Sequence, residues 1–326
     1  MSGRSAPALT WVIGRGGLLG QNVEKAIGES GRLWWPAEPI EWSAPGAGAV
    51  DLRRRAAEFL ETVGDRPWSV AWCAGAGITA TSAGALELEL AALRDTLDAL
   101  AAAPDGRRGA FFFASSAGGV YAGVGAPPYN EFSPVSPLAA YGQAKLDGEA
   151  LVGAWSRQTG TPALIGRIAN LYGPGQNLDK PQGLISQICR SHLTGHPLSV
   201  YVSLDTLRDY LFAPDCGLLI VSALARLRQE QAEAGQPGVV TKILGSQRAI
   251  TIGAVLGEVR RIFKSPPRIV VGASAVSAMQ ARDLSLRSRV WPELDRSSLT
   301  PFPVGVASTA ADLLRLLQLG GVGRLT

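Results

Sequence analysis

Through the first 170 residues, short runs that are apolar at every position alternate with longer Ala/Leu/Glu-rich stretches of helical period. Continuous apolar runs suit strands buried on both faces, and apolar residues recurring every three or four positions suit helices laid across them. The strand candidates are residues 10–13, 69–73, 110–114 and 163–167, and the helix candidates are 24–31, 52–63, 86–103 and 141–159. Residues 32–43 offer a further strand, but they hold Pro36, Pro39 and three tryptophans, and proline confines a strand to an edge or ends it early. This alternation predicts an α/β protein with a doubly wound parallel sheet covered by helices on both faces. After Arg167 the texture changes to Gly/Pro punctuation, Tyr172-Gly-Pro-Gly-Gln-Asn177, followed by short mixed segments. The expected division is residues 1–172 for the sheet domain and 173–326 for a smaller C-terminal lobe, with some segments returning to the first. Charge pairs within 226–233 read as a solvated helix end.

Composition narrows the classes. A chain of 326 residues that is 46% hydrophobic and 18% charged is a folded globular protein, which excludes disordered, collagenous and small disulfide-stapled readings. Cys73, Cys189 and Cys216 lie far apart with no paired spacing, so neither a disulfide framework nor a metal site is expected. No apolar run reaches the roughly 18 residues of a membrane helix, and residues 1–7 lack the apolar core of a leader, so a cytoplasmic protein without a membrane partner is expected. The net charge of +4 is spread thinly, and Arg53-Arg54-Arg55 is too short a run for a nucleic-acid footprint. An anionic small molecule is the better partner.

The strand at 10–13 runs straight into Gly14-Arg15-Gly16-Gly17-Leu18-Leu19-Gly20, with a helical segment beyond. Glycines there let the backbone approach a pyrophosphate, and the free N–H groups of the following helix attract its charge. Gly14, Gly17 and Gly20 are spaced Gly-x-x-Gly-x-x-Gly, one residue longer in the first interval than the usual Rossmann fingerprint. Glu38, 18 residues after Gly20, is placed to hydrogen-bond the ribose of NAD; Arg15 or Arg53 would instead receive the 2′-phosphate of NADP, or be ordinary surface arginines. NAD is expected, with NADP as the alternative. Downstream, Tyr141 and Lys145 are four apart in a helical stretch and share one face. An ammonium near a phenol, whose free pKa is about 10, favours the phenolate and makes a base.

With Val50-Asp51-Leu52, Trp72-Cys73-Ala74-Gly75, Ser115-Ser116-Ala117-Gly118-Gly119-Val120-Tyr121, Tyr141-Gly-Gln-Ala-Lys145, the segment from Arg167 to Gln176 and Arg208-Asp209-Tyr210, the chain resembles the extended short-chain dehydrogenase/reductases, the NAD-dependent epimerase/dehydratase family acting on nucleotide sugars. The resemblance implies a Rossmann domain, a substrate-binding C-terminal lobe and a homodimer. It implies that Tyr141 is the general acid/base for a sugar oxygen and that Lys145 binds the nicotinamide ribose and tunes Tyr141. It implies cofactor contacts from Gly14, Arg15, Gly17, Leu18, Leu19, Gly20, Glu38, Asp51 (to adenine), Leu52, Cys73, Ala74, Gly75 and Ser115. On the substrate side it implies diphosphate contacts from Asn170 and Arg208; the plain alternatives are a turn residue and a partner of Asp209. Gln176 is a candidate for sugar or base.

The chain departs from the family pattern in places. The family's catalytic Ser/Thr falls on Ala117, so either Ser116 takes that role or Tyr141 and backbone groups hold the oxygen alone. Gly118 and Gly119 stand where dehydratases resemble one another in an Asp-Glu pair, and Gly119 where decarboxylating relatives have a Glu, which disfavours both reactions. Glu89 falls where the family places an Asn, within an apolar 86–90 run that reads as structural, and Gly77 where galactose epimerases have a Lys. The expectation is an epimerase working by reversible hydride transfer on a nucleotide sugar. The alternatives are a ketoreductase and, from another class, a cofactor-binding protein with little turnover. His192 and His196 read as solvated or capping residues, and Asp283 as part of a structural turn.

Overall fold

The structure is a computed structural model that describes residues 7–42, 47–75, 77, 81–178, 182–234, 238–272, 281–296 and 298–319. Residues 1–6, read for a leader, and Ser43, at the end of the doubtful strand stretch, lie outside the described residues. In chain order the elements are β1 (Leu9–Ile13), α1 (Leu18–Glu29), β2 (Leu33–Trp34), α2 (Ala47–Val63), β3 (Trp68–Trp72), α3 (Ala83–Leu100), β4 (Phe111–Ser116), α4 (Ala117–Tyr121), α5 (Ala140–Thr159), β5 (Ala163–Ile168), β6 (Asn170–Tyr172), α6 (Leu184–Thr194), β7 (Leu198–Val200), β8 (Leu207–Phe212), α7 (Ala213–Ala234), β9 (Val239–Leu244), β10 (Ala249–Thr251), α8 (Ile252–Phe263), β11 (Ile269–Val271), β12 (Asp283–Leu284) and α9 (Phe302–Gln318).

The chain divides into two compact units, the first drawn from residues 1–116, 140–167 and 217–242, the second from 117–139, 168–216 and 243–326. The sheet of the first unit has the order β2-β1-β3-β4-β5-β9, with β1 parallel to β2 and β3, and β3 parallel to β4. This is the expected doubly wound arrangement. Every residue of β1 and β3 is buried, as strands covered on both faces must be. Trp11, Leu52, Phe59, Trp68, Trp72 and Phe113 fill one core cluster, each contributing about 1.5–3 kcal/mol by leaving water. From β1 the chain goes outward to β2 on one side and to β3 on the other. That reversal puts the crevice for a ligand at the C-terminal ends of β1 and β3.

Three sequence expectations need correcting. The helix expected from Glu24 begins at Leu18, because Gly20, a poor helix former, masks the first turn in the pattern. The helix expected from Leu52 begins at Ala47, so Asp51 lies inside it; the Pro-rich stretch before it forms only the two-residue, exposed edge strand β2. The 226–233 stretch has solvated pairs, Arg226–Glu230 and Gln229–Glu233, but Arg228 turns inward. It donates to the carbonyls of Trp68 and Arg108 and to Ser69 Oγ, and burial, with the Arg32 charge adding, lowers its pKa to about 10.

In the second unit, β8 is the hub: β10 pairs with it antiparallel, and β12 and β6 pair with it in parallel. β11 pairs with β7. Helices α6, α8 and α9 close a separate core around Tyr172, Ile185, Ile188, Val255 and Val306. Thr251 caps α8 by accepting the Ala254 N–H at 3.1 Å.

Candidate active site

The glycine loop sits on the end of β3. The Cys73 N–H donates to the Ile13 carbonyl at 2.8 Å, carrying the β1–β3 ladder one residue beyond Trp72. Gly14 has φ +89°, and a Cβ there would lie 2.5 Å from the Ala74 nitrogen and 2.7 Å from its Cα. Only glycine fits both the left-handed backbone and the contact. A Cβ on Gly20 would run into the Gly14 carbonyl and come within 2.8 Å of the Arg15 Cα. Gly14 and Gly20 therefore pack the loop against strand and helix. Gly16 and Gly17 instead are exposed, and a Cβ on Gly16 would meet nothing within 4 Å.

Gly17 is the N-cap of α1; its N–H donates to the Gly14 carbonyl at 3.0 Å, no side chain caps the helix, and the first turn holds no acidic residue. The opening N–H groups, those of Leu18, Leu19 and Gly20, have no intrahelical acceptor. A bare, Cβ-free loop with uncapped donors behind it is a cradle that fits a pyrophosphate.

Arg15 is tied to the polypeptide on three sides: Nη1 donates to the Ala37 carbonyl at 2.7 Å, Nε pairs with Glu24 at 3.1 Å, and the guanidinium lies over Trp34. Burial raises the Glu24 pKa, and Arg15 pulls against that shift. The tether draws the chain at Ala37, and with it the exposed Glu38, to the glycine loop. Arg53 lies on α2 and pairs with Asp95 at 3.8 Å. Asp51, inside α2, accepts from Arg54 and from the Glu41 N–H at 3.3 Å and lies 3.6 Å from Arg55, while Leu52 belongs to the core. The structure thus commits the Asp51 carboxylate to Arg54 of its own helix and to the Glu41 N–H. The Cys73 thiol is pushed up by burial, with the Glu24 charge adding, and stays neutral.

The second group of residues lies on α5 and faces the same strand end. Tyr141, Lys145 and Glu149 follow one another at helical spacing on one face. Lys145 is buried; its Nζ lies 5.6 Å from the ring centres of Tyr141 and of Phe113 and donates to Glu89 Oε1 at 3.1 Å. Glu89 Oε2 accepts the Gly77 N–H at 3.3 Å. A Cβ on Gly75, whose φ is +151°, would sit 2.7 Å from Glu89 Oε1 and 3.3 Å from Lys145 Nζ, and one on Gly77 would sit 3.2 Å from the Tyr141 ring. Burial alone would lower the Lys145 pKa, but Tyr141 and Glu89 outweigh it and the pKa is raised.

One turn on, Glu149 binds Arg167 of β5 through two hydrogen bonds, Nε to Oε1 at 2.9 Å and Nη2 to Oε2 at 2.6 Å. Ser115 Oγ also donates to Glu149 Oε1, at 2.6 Å. All three side chains are buried, so the Ser115 hydroxyl ties β4 to α5. Ser116 is the last residue of β4, half-buried, and Ala117 opens α4 fully buried with no hydroxyl to offer.

The remaining expected residues lie in the second unit. Asn170 is exposed at the start of β6, and Gln176 follows β6, half-buried in the turn. Arg208, on β8, is buried and donates through Nη1 to the carbonyls of Leu207 at 2.8 Å and Arg282 at 3.5 Å. Burial lowers its pKa, which Tyr210 and Asp283 partly offset. Asp283 accepts from the Ser285 N–H and hydroxyl, closing a turn, and His192 stacks on Phe263.

Among the described residues, no group of three or more His, Cys, Asp or Glu could hold a metal, and no helix is long and apolar enough to cross a membrane. Sequence reasoning missed the engagement of Glu89 with Lys145 and the Glu149–Arg167–Ser115 knot. The spacing of Tyr141, Lys145 and Glu149 was a signal for the second; for the first no local signal existed.

A model described as the NAD dependent epimerase/dehydratase family matches residues 10–236. The chain is 36% identical over 156 residues to the dTDP-glucose 4,6-dehydratase of Xanthomonas campestris pv. campestris, covering 47% of this chain and 42% of that protein. It is 28% identical over 160 residues to the dTDP-4-dehydro-6-deoxyglucose reductase of Escherichia coli, covering 49% and 47%. The matches thus span less than half the length of these relatives. Among solved structures, the UDP-glucose 4-epimerase of Thermus thermophilus in complex with NAD is similar with a TM-score of 0.75 at 19% identity, over 94% of this chain and 99% of that one.

Proposed function

We propose, given that the chain belongs to the NAD dependent epimerase/dehydratase family, that it is an epimerase inverting a secondary carbinol of a nucleotide-activated sugar. One observation carries this reading: the glycine loop and the Tyr141–Lys145 couple converge on a single strand end. Gly14 packs on Ala74, and Lys145 Nζ approaches Gly75, the next residue. A dinucleotide held by the loop and a substrate oxygen held by Tyr141 are thereby brought to one place.

Gly14, Gly17 and Gly20, with the N–H groups of Leu18 and Leu19, hold the pyrophosphate of NAD, and Glu38 receives ribose hydroxyls. When bound, NAD supplies the hydride acceptor and donor at the sugar carbon. Tyr141 takes the proton of the sugar hydroxyl as that carbon is oxidised and returns it when the carbonyl is reduced on its other face. Lys145 holds a positive charge beside Tyr141, which favours the phenolate. Ser116 holds the reacting oxygen in place of the hydroxyl missing at Ala117. Asn170 and Arg208 bind the nucleotide diphosphate and Gln176 the sugar or base; a buried guanidinium that donates to the Leu207 and Arg282 carbonyls retains charge for a phosphate. On this reading residues 1–172 mainly bind cofactor and 173–326 mainly bind substrate, in a homodimer, as the family resemblance implies.

Elimination of water needs an acid and a base beyond Tyr141, and Gly118 and Gly119 of α4 supply neither. The similarity to a reductase motivates a second reading, a ketoreductase using the same residues for one hydride transfer. Incubation with a panel of UDP-, GDP- and dTDP-sugars, following the configuration at each ring carbon by NMR and cofactor absorbance together, separates the readings. The epimerase converts a sugar to its epimer with no net cofactor consumption. Stoichiometric consumption makes it a reductase, and a wholly unchanged panel makes it a cofactor-binding protein.

A further inference from the structure

We propose that Glu89 is a positioning residue for the proton transfer: its carboxylate pins the Lys145 ammonium beside Gly75 and keeps it charged next to Tyr141. The inference rests on the reading of Tyr141 and Lys145 as the acid/base couple. Glu89 approaches from α3, 56 residues before Lys145, and holds both parts of the corner at once, Oε1 on Nζ at 3.1 Å and Oε2 on the Gly77 N–H at 3.3 Å. Two glycines make room for it. A Cβ at Gly75 would meet Glu89 Oε1 and Lys145 Nζ, and a Cβ at Gly77 would meet Leu86 and the Tyr141 ring. Glycine at Gly75 thus leaves space for the Glu89 carboxylate beside Lys145 Nζ.

The surroundings explain why a charge is needed. Trp72, Leu86, Leu93 and Phe113 form apolar walls around the pair. An ammonium taken from water into such walls loses its proton readily, since burial disfavours the charged form. The groups set against that tendency are few. From α5 itself comes Tyr141, and one turn on Glu149, committed to Arg167 of β5 and Ser115 of β4. From α3 comes Glu89, while Asp95 further along pairs with Arg53 of α2 at 3.8 Å. At the end of β3 lies the Cys73 thiol, which burial keeps neutral. Glu89 is thus the carboxylate in contact with Lys145, with 9% and 21% of the Lys145 and Glu89 side chains exposed. An asparagine could accept the hydrogen bond but could not offset the cost of burying the charge.

The chain has five lysines, so lysine labelled with carbon-13 at Cε gives five signals, and Lys145→Arg identifies the one that matters. The titration needs no substrate, so a failure of the epimerase reading in the sugar-panel assay leaves this result standing. In Glu89→Gln the Lys145 signal is expected to titrate about two pH units or more below the parent. Glu89→Asp, which keeps the charge, is expected to titrate close to the parent, and it decides the matter should Glu89→Gln not fold. A Lys145 signal unmoved in Glu89→Gln, or lowered in Glu89→Asp as far as in Glu89→Gln, overturns the proposal.

Discussion

At the glycine loop, the side chains that matter are missing ones: Gly14 and Gly20 let backbone meet backbone, and Gly16 and Gly17 leave the outer surface bare. At the Lys145 corner, glycines also make room, but the room is taken by charges, Lys145 with Glu89 and, a turn away, Glu149 with Arg167. Both regions abut residues 73–75. One depends chiefly on shape; the other depends on ionisation. A site for a dinucleotide phosphate and a site for proton transfer would differ in this way.

The comparison breaks most visibly at the buried knot. Glu149→Gln removes the carboxylate that Arg167 binds through two hydrogen bonds, and the expected loss is about 3–5 kcal/mol in chemical denaturation. A loss below about 1 kcal/mol would mean that the corner is held by packing alone. At the loop, Gly20→Ala sets a Cβ against the backbone of Gly14 and Arg15, which cannot yield as a side chain would. The expected cost is about 1–3 kcal/mol, with loss of NAD binding by calorimetry.

A pH series separates the regions further. The Lys145 pKa is raised above its ordinary 10.5, so the stability from its pairing is fully present below that value and lost as pH rises through the folded-state pKa. The parent is expected to lose melting temperature above pH 10.5 by a component that Lys145→Met lacks. The smallest effects lie on the bare surface. Gly16→Ala is expected to change stability by less than about 0.5 kcal/mol. Gly17→Val is likewise expected to fold, yet to lose cofactor, because it adds bulk where the pyrophosphate lies.

The same contrast governs what could be read from the sequence. The glycine loop and the Tyr141–Lys145 spacing are each set within a few residues, so β1, the loop and α5 were legible. The Lys145–Glu89 contact was hidden, because Glu89 lies in an apolar run whose pattern says only that a helix is half-buried. The helical setting of Asp51 was not legible, because Pro36 and Pro39 leave only a two-residue edge strand and the periodic stretch that begins the helix reaches back past Asp51 to Ala47. Helices α8 and α9 escaped notice because Gly and Pro punctuation broke their segments into short pieces, and the cap that starts α8, Thr251, is a single residue.

The most direct test of the central claim is mass spectrometry of the small molecules released when freshly purified protein is denatured. An epimerase must keep its hydride carrier between half-reactions, so the account predicts about one NAD released per chain. Protein that releases no nicotinamide dinucleotide, and binds neither NAD nor NADP when they are added, would contradict it.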